Sequence, residues 1–125
     1  MFSFSYDPGR VLLTIVQQGY WSMAEFRDYE REYLAQHARI RLHNGNYRVL
    51  ADCRQYPVQS ADVGEAFAIL FGKLTNENRG HCAILTPSAL SRIQAKRAIP
   101  SANVQFFPDT EEATTWLFAE GSLDG

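Results

Sequence analysis

The residues whose types and spacing could carry chemistry lie in one polar stretch, Asp52-Cys-Arg-Gln-Tyr-Pro-Val-Gln-Ser60. Asp52 ends an apolar run, and Ser60 precedes apolar residues at helical spacing. A serine at a helix start accepts a hydrogen bond from free backbone N–H groups, and those groups also favour an anion or a phosphorylated hydroxyl. The stretch therefore predicts a binding or regulatory site formed by Asp52, Arg54, Tyr56, Gln59 and Ser60.

Each of these residues also has a simpler interpretation. Ser60 alone would be an ordinary helix cap, which contributes about 1 kcal/mol. Asp52 would pair with Arg54 or accept hydrogen bonds from loop N–H groups. Both interpretations remain open at the level of the sequence.

Cys53 is a candidate nucleophile for an enzyme that would also use Asp52 and a histidine. A phosphatase loop of the Cys-x5-Arg type needs an arginine six residues later, and that residue is Gln59, so the motif fails. An enzyme that pairs Cys53 with His43 or His81 stays open, because such partners meet in space and not in sequence. The simpler interpretation is a partly buried, inert thiol. No two histidines have the i, i+4 spacing of a helical metal site, so the sequence predicts neither a metal nor a cofactor.

Composition narrows the class of protein. The chain has 125 residues, of which 46% are hydrophobic, and this suits one domain with one sizeable core. A formal net charge of −2 gives no electrostatic reason to expect nucleic acid. The first ten residues contain no basic leader, and no stretch approaches the ~20 apolar residues of a membrane helix. We therefore expect a cytoplasmic protein without a membrane span.

Periodicity predicts the elements that must position the polar stretch. Alternating or continuous apolar runs indicate strands, and apolar residues three or four apart indicate helices. Strands are predicted at 2–6, 11–16, 47–52, 81–86 and 103–107, and helices begin near 22, 60, 87 and 109. The order β-β-α-β-α-β-α-β-α predicts an α/β domain whose mixed sheet of about five strands is flanked by four helices. The domain is expected to span 1–120, with a flexible tail at 121–125.

Aromatic and aliphatic residues are assigned by the same periodicity. Three residues are predicted to face inward and to line a pocket if the protein carries a lipid or another small ligand: Phe67, Phe71 and Trp116. Leu90 and Ile93 are also expected to face inward. Four aromatic residues are harder to place inside: Tyr20, Trp21, Tyr29 and Tyr56. They are expected to line an apolar pocket or a self-association surface, or to be amphipathic residues at a rim.

These features together resemble the STAS-like, or SpoIIAA-like, superfamily, and most closely its small stand-alone bacterial members. The resemblance covers nearly the whole chain and includes the closing pattern Phe-x-Asp-x-x-Glu-Ala-x-x-Trp-Leu at 107–117. It implies a SpoIIAA-like fold. In the anti-sigma-factor antagonists of this superfamily, a phosphorylatable serine starts the helix after the third strand, and Ser60 matches that position. Here the local sequence is Gln59-Ser60-Ala61-Asp62, and Asp62 would repel a phosphate on Ser60.

The sequence therefore favours a non-enzymatic binding or regulatory module. It would contact a protein partner or a small ligand at the carboxyl edge of the sheet, where the loop from Asp52 to Ser60 is expected. Alternatives are a small-ligand or lipid carrier and an enzyme that uses Asp52 and Cys53 with a histidine. The identity of the partner and the presence of a homodimer are left open.

Overall fold

A computed structural model describes residues 1–98 and 102–124, and its element order is the predicted one. Within these residues the elements are β1 (Phe2–Asp7), β2 (Leu12–Gln18), α1 (Met23–Arg41), β3 (Arg48–Gln55), α2 (Ala61–Glu77), β4 (Cys82–Leu85), α3 (Ala89–Ala98), β5 (Val104–Phe107) and α4 (Thr110–Leu117). The predicted α/β fold class is confirmed.

The five strands form one mixed sheet in the order β1-β2-β3-β4-β5. β1 pairs antiparallel with β2, while β2 through β5 pair in parallel. The carboxyl ends of the four parallel strands therefore meet at one edge of the sheet, which we call the carboxyl edge. The segments that lead into these strands lie at the opposite edge, which we call the amino edge.

Alternate strand residues face two different layers of helices. On one face, residues such as Leu13, Val49 and Ile84 pack with α1 and α2 in the larger hydrophobic cluster. On the other face, Leu12 and Leu85 pack against α4 in a smaller cluster. Each large apolar side chain buried in this way contributes about 1.5–3 kcal/mol.

The aromatic residues of the larger cluster are more deeply buried than the sequence suggested. Trp21 and Tyr29 are fully buried, although both were expected at a rim. Burial is tolerated because their polar atoms find partners: Trp21 Nε1 donates to the Gln18 carbonyl at 2.8 Å, and Tyr29 Oη donates to Gln17 Oε1 at 2.8 Å.

Helix α3 departs from its predicted orientation. Leu90 and Ile93 are exposed, so the expectation that they face inward was wrong. The helix lies against β5. Residues three apart share one helical face, so the two side chains point outward together.

The predicted tail is bonded to the domain along residues 121–124. The Ser122 carbonyl accepts a hydrogen bond from the backbone N–H of His81 at 2.8 Å, and Ser122 Oγ accepts one from Arg48 Nε at 2.9 Å. Asn46 Nδ2 donates to the Leu123 carbonyl at 2.9 Å. The expectation of a flexible tail came from its terminal position, which does not indicate such long-range contacts.

None of the helices in the described part of the chain is long and apolar enough to cross a membrane.

Candidate functional site

Two loops at the carboxyl edge form the candidate site. The first, residues 19–22, joins β2 to α1, and the second, residues 56–60, joins β3 to α2. We call them the edge loops. Gly19 adopts a positive φ of 83°, a conformation that glycine tolerates without strain, and its N–H donates to the Gln55 carbonyl at 3.0 Å.

Gln59 fastens the edge loops together. Its Oε1 accepts a hydrogen bond from the Trp21 backbone N–H at 2.7 Å. Its Nε2 donates to the Gly19 carbonyl at 3.1 Å and to the Pro57 carbonyl at 2.7 Å. One side chain therefore fixes both loops, and this gives Gln59 a positioning role that its sequence neighbours did not reveal.

Tyr56 packs beneath the edge loops against aromatic side chains. Its ring centroid lies 4.8 Å from that of Trp21 and 6.2 Å from that of Phe67. Burial raises the pKa of the Tyr56 hydroxyl, and the nearby Cys53 and Glu25 raise it further. Tyr56 therefore serves as a neutral packing residue at this edge.

Ser60 is the N-cap of α2, as its position in the sequence predicts. The Val63 N–H donates to Ser60 Oγ at 3.4 Å and to Asp62 Oδ1 at 3.0 Å, while Ser60 Oγ itself donates to Asp62 Oδ1 at 2.5 Å. The hydrogen bond from Ser60 and the Val63 N–H lower the pKa of Asp62. A phosphate on Ser60 would stand directly beside this carboxylate and would be repelled by it.

Asp52 and Arg54 lie on the other face of the sheet. The strand continues three residues beyond Asp52, so this carboxylate belongs to the strand and not to a loop. Arg54 donates two hydrogen bonds to Asp52, Nε to Oδ1 at 3.0 Å and Nη2 to Oδ2 at 2.9 Å, and these bonds lower the pKa of Asp52. The predicted site therefore divides: Tyr56, Gln59 and Ser60 come together, while Asp52 and Arg54 pair separately.

Cys53 is separated from all three histidines by the length of the sheet. Val49 pairs with Cys82, which directly follows His81, and Cys53 lies four residues beyond Val49, or about 13 Å along the strand. His43 precedes β3 at the amino edge, and His37 hydrogen-bonds Tyr47 there. No Cys–His pair can form across this distance.

The Cys53 thiol is also not activated. Burial raises its pKa to about 12, and the neighbouring charge of Asp52 contributes to the increase. The thiolate, which is the nucleophilic form, is therefore scarce at neutral pH.

The three residues proposed as pocket lining do not share a pocket. Phe67 and Phe71 stack on each other at 5.5 Å between ring centroids within the layer of α1 and α2. Trp116 belongs to α4 on the opposite face, where it stacks on His81 at 3.9 Å. The helical period placed each residue inward, but it did not indicate which side of the sheet each helix covers.

An open cleft of about 600 Å³ lies beside the start of α4. It is lined by Phe107, Asp109, Glu111, Glu112 and Thr115. Its lining carries three carboxylates, so its chemistry differs from that of the uncharged edge loops.

Two large apolar side chains project from the edge loops into solvent. Val58 is 86% exposed and Tyr20 is 66% exposed. Gln59 holds their two loops together, so both side chains stand on the joined edge loops. Tyr20 could be singled out from the sequence because it had no place in a core pattern, whereas no pattern singled out Val58.

No protein-family model and no curated protein matches this chain. Among solved structures, the chain is similar to an uncharacterized protein of the DUF3478 family with a SpoIIAA-like fold, from Shewanella loihica PV-4. The two chains are 16% identical, the match covers 94% of this chain and 92% of the other, and the TM-score is 0.68. At this identity the likeness shows the fold alone, and by that likeness the chain has the SpoIIAA-like fold that its sequence predicted.

Proposed function

We propose that this chain is a non-enzymatic binding module that docks a protein partner on its edge loops. The observation that carries the proposal is the pair of exposed side chains, Tyr20 and Val58, on loops that Gln59 holds in place. Large apolar groups on a fixed loop at the carboxyl edge are suited to recognition, because this edge is where α/β sheets commonly bind their ligands.

The energetics favour a docking role for these side chains. Burial of a large apolar side chain against a partner contributes about 1.5–3 kcal/mol. Loops that are already fixed lose less conformational entropy on binding than mobile loops do. Gln59 therefore supports affinity without contacting the partner itself.

The chemistry of this edge supports binding over catalysis. The Cys53 thiol has a pKa raised to about 12, and the histidines lie at the opposite edge of the sheet. Asp52 is paired with Arg54. These groups supply neither an activated nucleophile nor a base beside it.

The test uses three tagged proteins, the wild type and two variants, as bait in an extract of cells that express the protein. The wild type should retain a partner, which is then purified. The double variant Tyr20→Ser/Val58→Asp should bind this purified partner at least tenfold more weakly than the wild type does. Ile69→Asp is the matched control, because Ile69 is 69% exposed on α2 outside the edge loops. Equal binding by the double variant and the wild type would exclude the edge loops as the docking surface.

A further inference from the structure

Strand β1 is outermost in the sheet, with β2 as its neighbour. Its sequence is Phe2-Ser-Phe-Ser-Tyr-Asp7, and its register with β2 is unbroken over all six residues. Soluble proteins normally protect an outermost strand with prolines, lysines, bulges or a very short length. Residues 2–7 have none of these features, whereas β5, on the opposite side of the sheet, is only four residues long. The outer side of β1 is therefore open to pairing with another strand.

The hydrogen bonds at the start of β1 show which of its backbone groups face outward. The Gln18 N–H donates to the Met1 carbonyl at 2.8 Å, and the Met1 nitrogen donates to the Gln18 carbonyl at 3.0 Å. Such hydrogen-bonded pairs alternate with non-bonded pairs along an antiparallel ladder. Alternate residues of β1, beginning with Ser3, are therefore bonded to β2. The N–H and carbonyl groups of the residues between them point away from the sheet: Phe2, Phe4 and Tyr6.

These outward-facing groups can be reached by another chain. Phe2, Phe4 and Tyr6 are partly exposed, and the two serines between them are exposed. Within residues 1–98 and 102–124, no loop or helix donates a hydrogen bond to their carbonyls or accepts one from their N–H groups. Water satisfies these groups in a single chain. What distinguishes β1 is therefore its match to a second copy of itself.

The match holds in one antiparallel register, in which Phe4 lies opposite Phe4 of the second copy. Phe2 then lies opposite Tyr6. This register is symmetric about a two-fold axis, so both chains present the same surface. All three outward-facing residues take part, and they form about six hydrogen bonds between the chains.

The side chains of this register are also compatible. Aromatic residues meet aromatic residues on the face that packs on α1, and such cross-strand pairs are favourable. On the other face Ser3 meets Ser5, and these small, uncharged side chains do not repel each other. Asp7, the one charged residue of β1, lies opposite Met1, so it does not meet its own counterpart.

The aromatic residues are already held in position within one chain. The ring centroid of Tyr29 in α1 lies 5.5 Å from that of Phe2 and 5.4 Å from that of Phe4. Strand pairing therefore requires little further ordering of these side chains.

We propose that β1 pairs antiparallel with β1 of a second copy, so that two chains form a symmetric dimer with one continuous sheet. The contact involves six residues of each chain, which is small for an interface. The dimer therefore dissociates on dilution.

This dimer goes beyond the proposed docking surface and does not depend on it. Tyr20 and Val58 lie on the edge loops at the ends of β2 and β3, whereas the dimer uses the outer side of β1. The variant Tyr20→Ser/Val58→Asp leaves β1 unchanged and should dimerise like the wild type. Loss of partner binding and loss of the dimer are therefore separate results.

Two double variants test the register by sedimentation equilibrium. Ser3→Lys/Ser5→Lys places like charges opposite each other between the chains, whereas Ser3→Lys/Ser5→Glu places opposite charges there. Both positions are exposed, so both variants should fold like the wild type. The wild-type mass should rise with concentration from 14.2 kDa toward twice that value. The like-charge variant should raise the dissociation constant at least tenfold, and the opposite-charge variant should stay within about threefold of the wild type.

Amide hydrogen exchange of the wild type gives a second measurement that needs no variant. The outward-facing N–H groups of Phe4 and Tyr6 should exchange more slowly at high protein concentration than at low concentration. The Ser5 N–H, which is bonded to β2, should be protected at both concentrations.

Four results would each overturn the proposal. The wild type would remain monomeric up to about 1 mM, or the like-charge variant would dimerise as tightly as the wild type. Alternatively, the opposite-charge variant would dissociate as readily as the like-charge variant, or exchange at Phe4 would not depend on protein concentration.

Discussion

At the scale of single residues, Gln59 holds both edge loops in place with one side chain. Its three hydrogen bonds join segments that are 38 and 40 residues apart as well as its own loop. Gln59→Ala should lower the free energy of unfolding by about 2–3 kcal/mol, since each bond contributes about 1 kcal/mol. Urea denaturation measures this loss. Gln105→Ala, at an exposed position of β5, should change stability by less than about 0.5 kcal/mol, and equal losses would contradict the role of Gln59.

Residue roles could be predicted from sequence where the signal is local. Ser60 was expected to cap a helix, and helices were predicted to begin near Ser22 and Asp109. Each of these three side chains accepts the N–H of the third residue after it. Gln59 gave no such signal, because its partners at Gly19 and Trp21 lie on another loop. Gln59 was named among the candidate site residues, but its role in joining the edge loops was visible only in the folded chain.

At the scale of elements, Gly80 controls how the segment before β4 approaches β3. A Cβ at this position would lie 2.9 Å from the carbonyl carbon of Tyr47 and closer still to its oxygen. The Tyr47 backbone cannot move aside freely, because its N–H and carbonyl are both bonded to the Asn78 side chain at 2.9 Å. Gly80→Ala should therefore destabilise the protein by about 3 kcal/mol or more.

The matched control for this prediction is Gly45→Ala, because a Cβ at Gly45 meets no atom within 4 Å. Its free energy of unfolding should stay within about 0.5 kcal/mol of the wild-type value. Thermal unfolding of both variants separates a steric effect from a general cost of replacing loop glycines. Similar melting temperatures for the two variants would show that the chain relaxes around position 80.

At the scale of the whole molecule, hydrophobic periodicity was sufficient to predict the order of the elements. It was not sufficient to predict which face of the sheet each helix covers. Period-two and period-3.6 patterns separated the strands from the helices, and the crossover rule then implied the parallel sheet. Both faces of the sheet are apolar, so the same patterns could not show that Trp116 and Phe67 lie on opposite sides. Burial of Trp21 and Tyr29 depended on hydrogen bonds that only the folded chain supplies.

His37 of α1 contacts two other segments at the amino edge. Its Nδ1 is 2.7 Å from the Oη of Tyr47, which directly precedes β3, and its Nε2 is 3.2 Å from Glu77 Oε1 at the end of α2. Burial lowers the pKa of His37, and the charges of Arg41 and Lys73 lower it further. The Glu77 carboxylate opposes this shift without reversing it.

The lowered pKa of His37 makes the stability of the whole fold depend on pH. In the folded chain the His37 ring stays neutral to a lower pH, whereas in the unfolded chain it is protonated near pH 6.5. The free energy of unfolding should therefore fall as the pH drops from 6.5 through the pKa of the folded state. Free energies of unfolding at pH 8, 6.5 and 5 should therefore decrease more for the wild type than for His37→Gln. Asp52 does not contribute to the change in stability between pH 8 and pH 5, because Arg54 lowers the pKa of Asp52 and keeps its carboxylate ionised in this range. His43→Gln, at an exposed position, should retain the wild-type pH dependence. The same pH dependence in His37→Gln would assign the effect to another group.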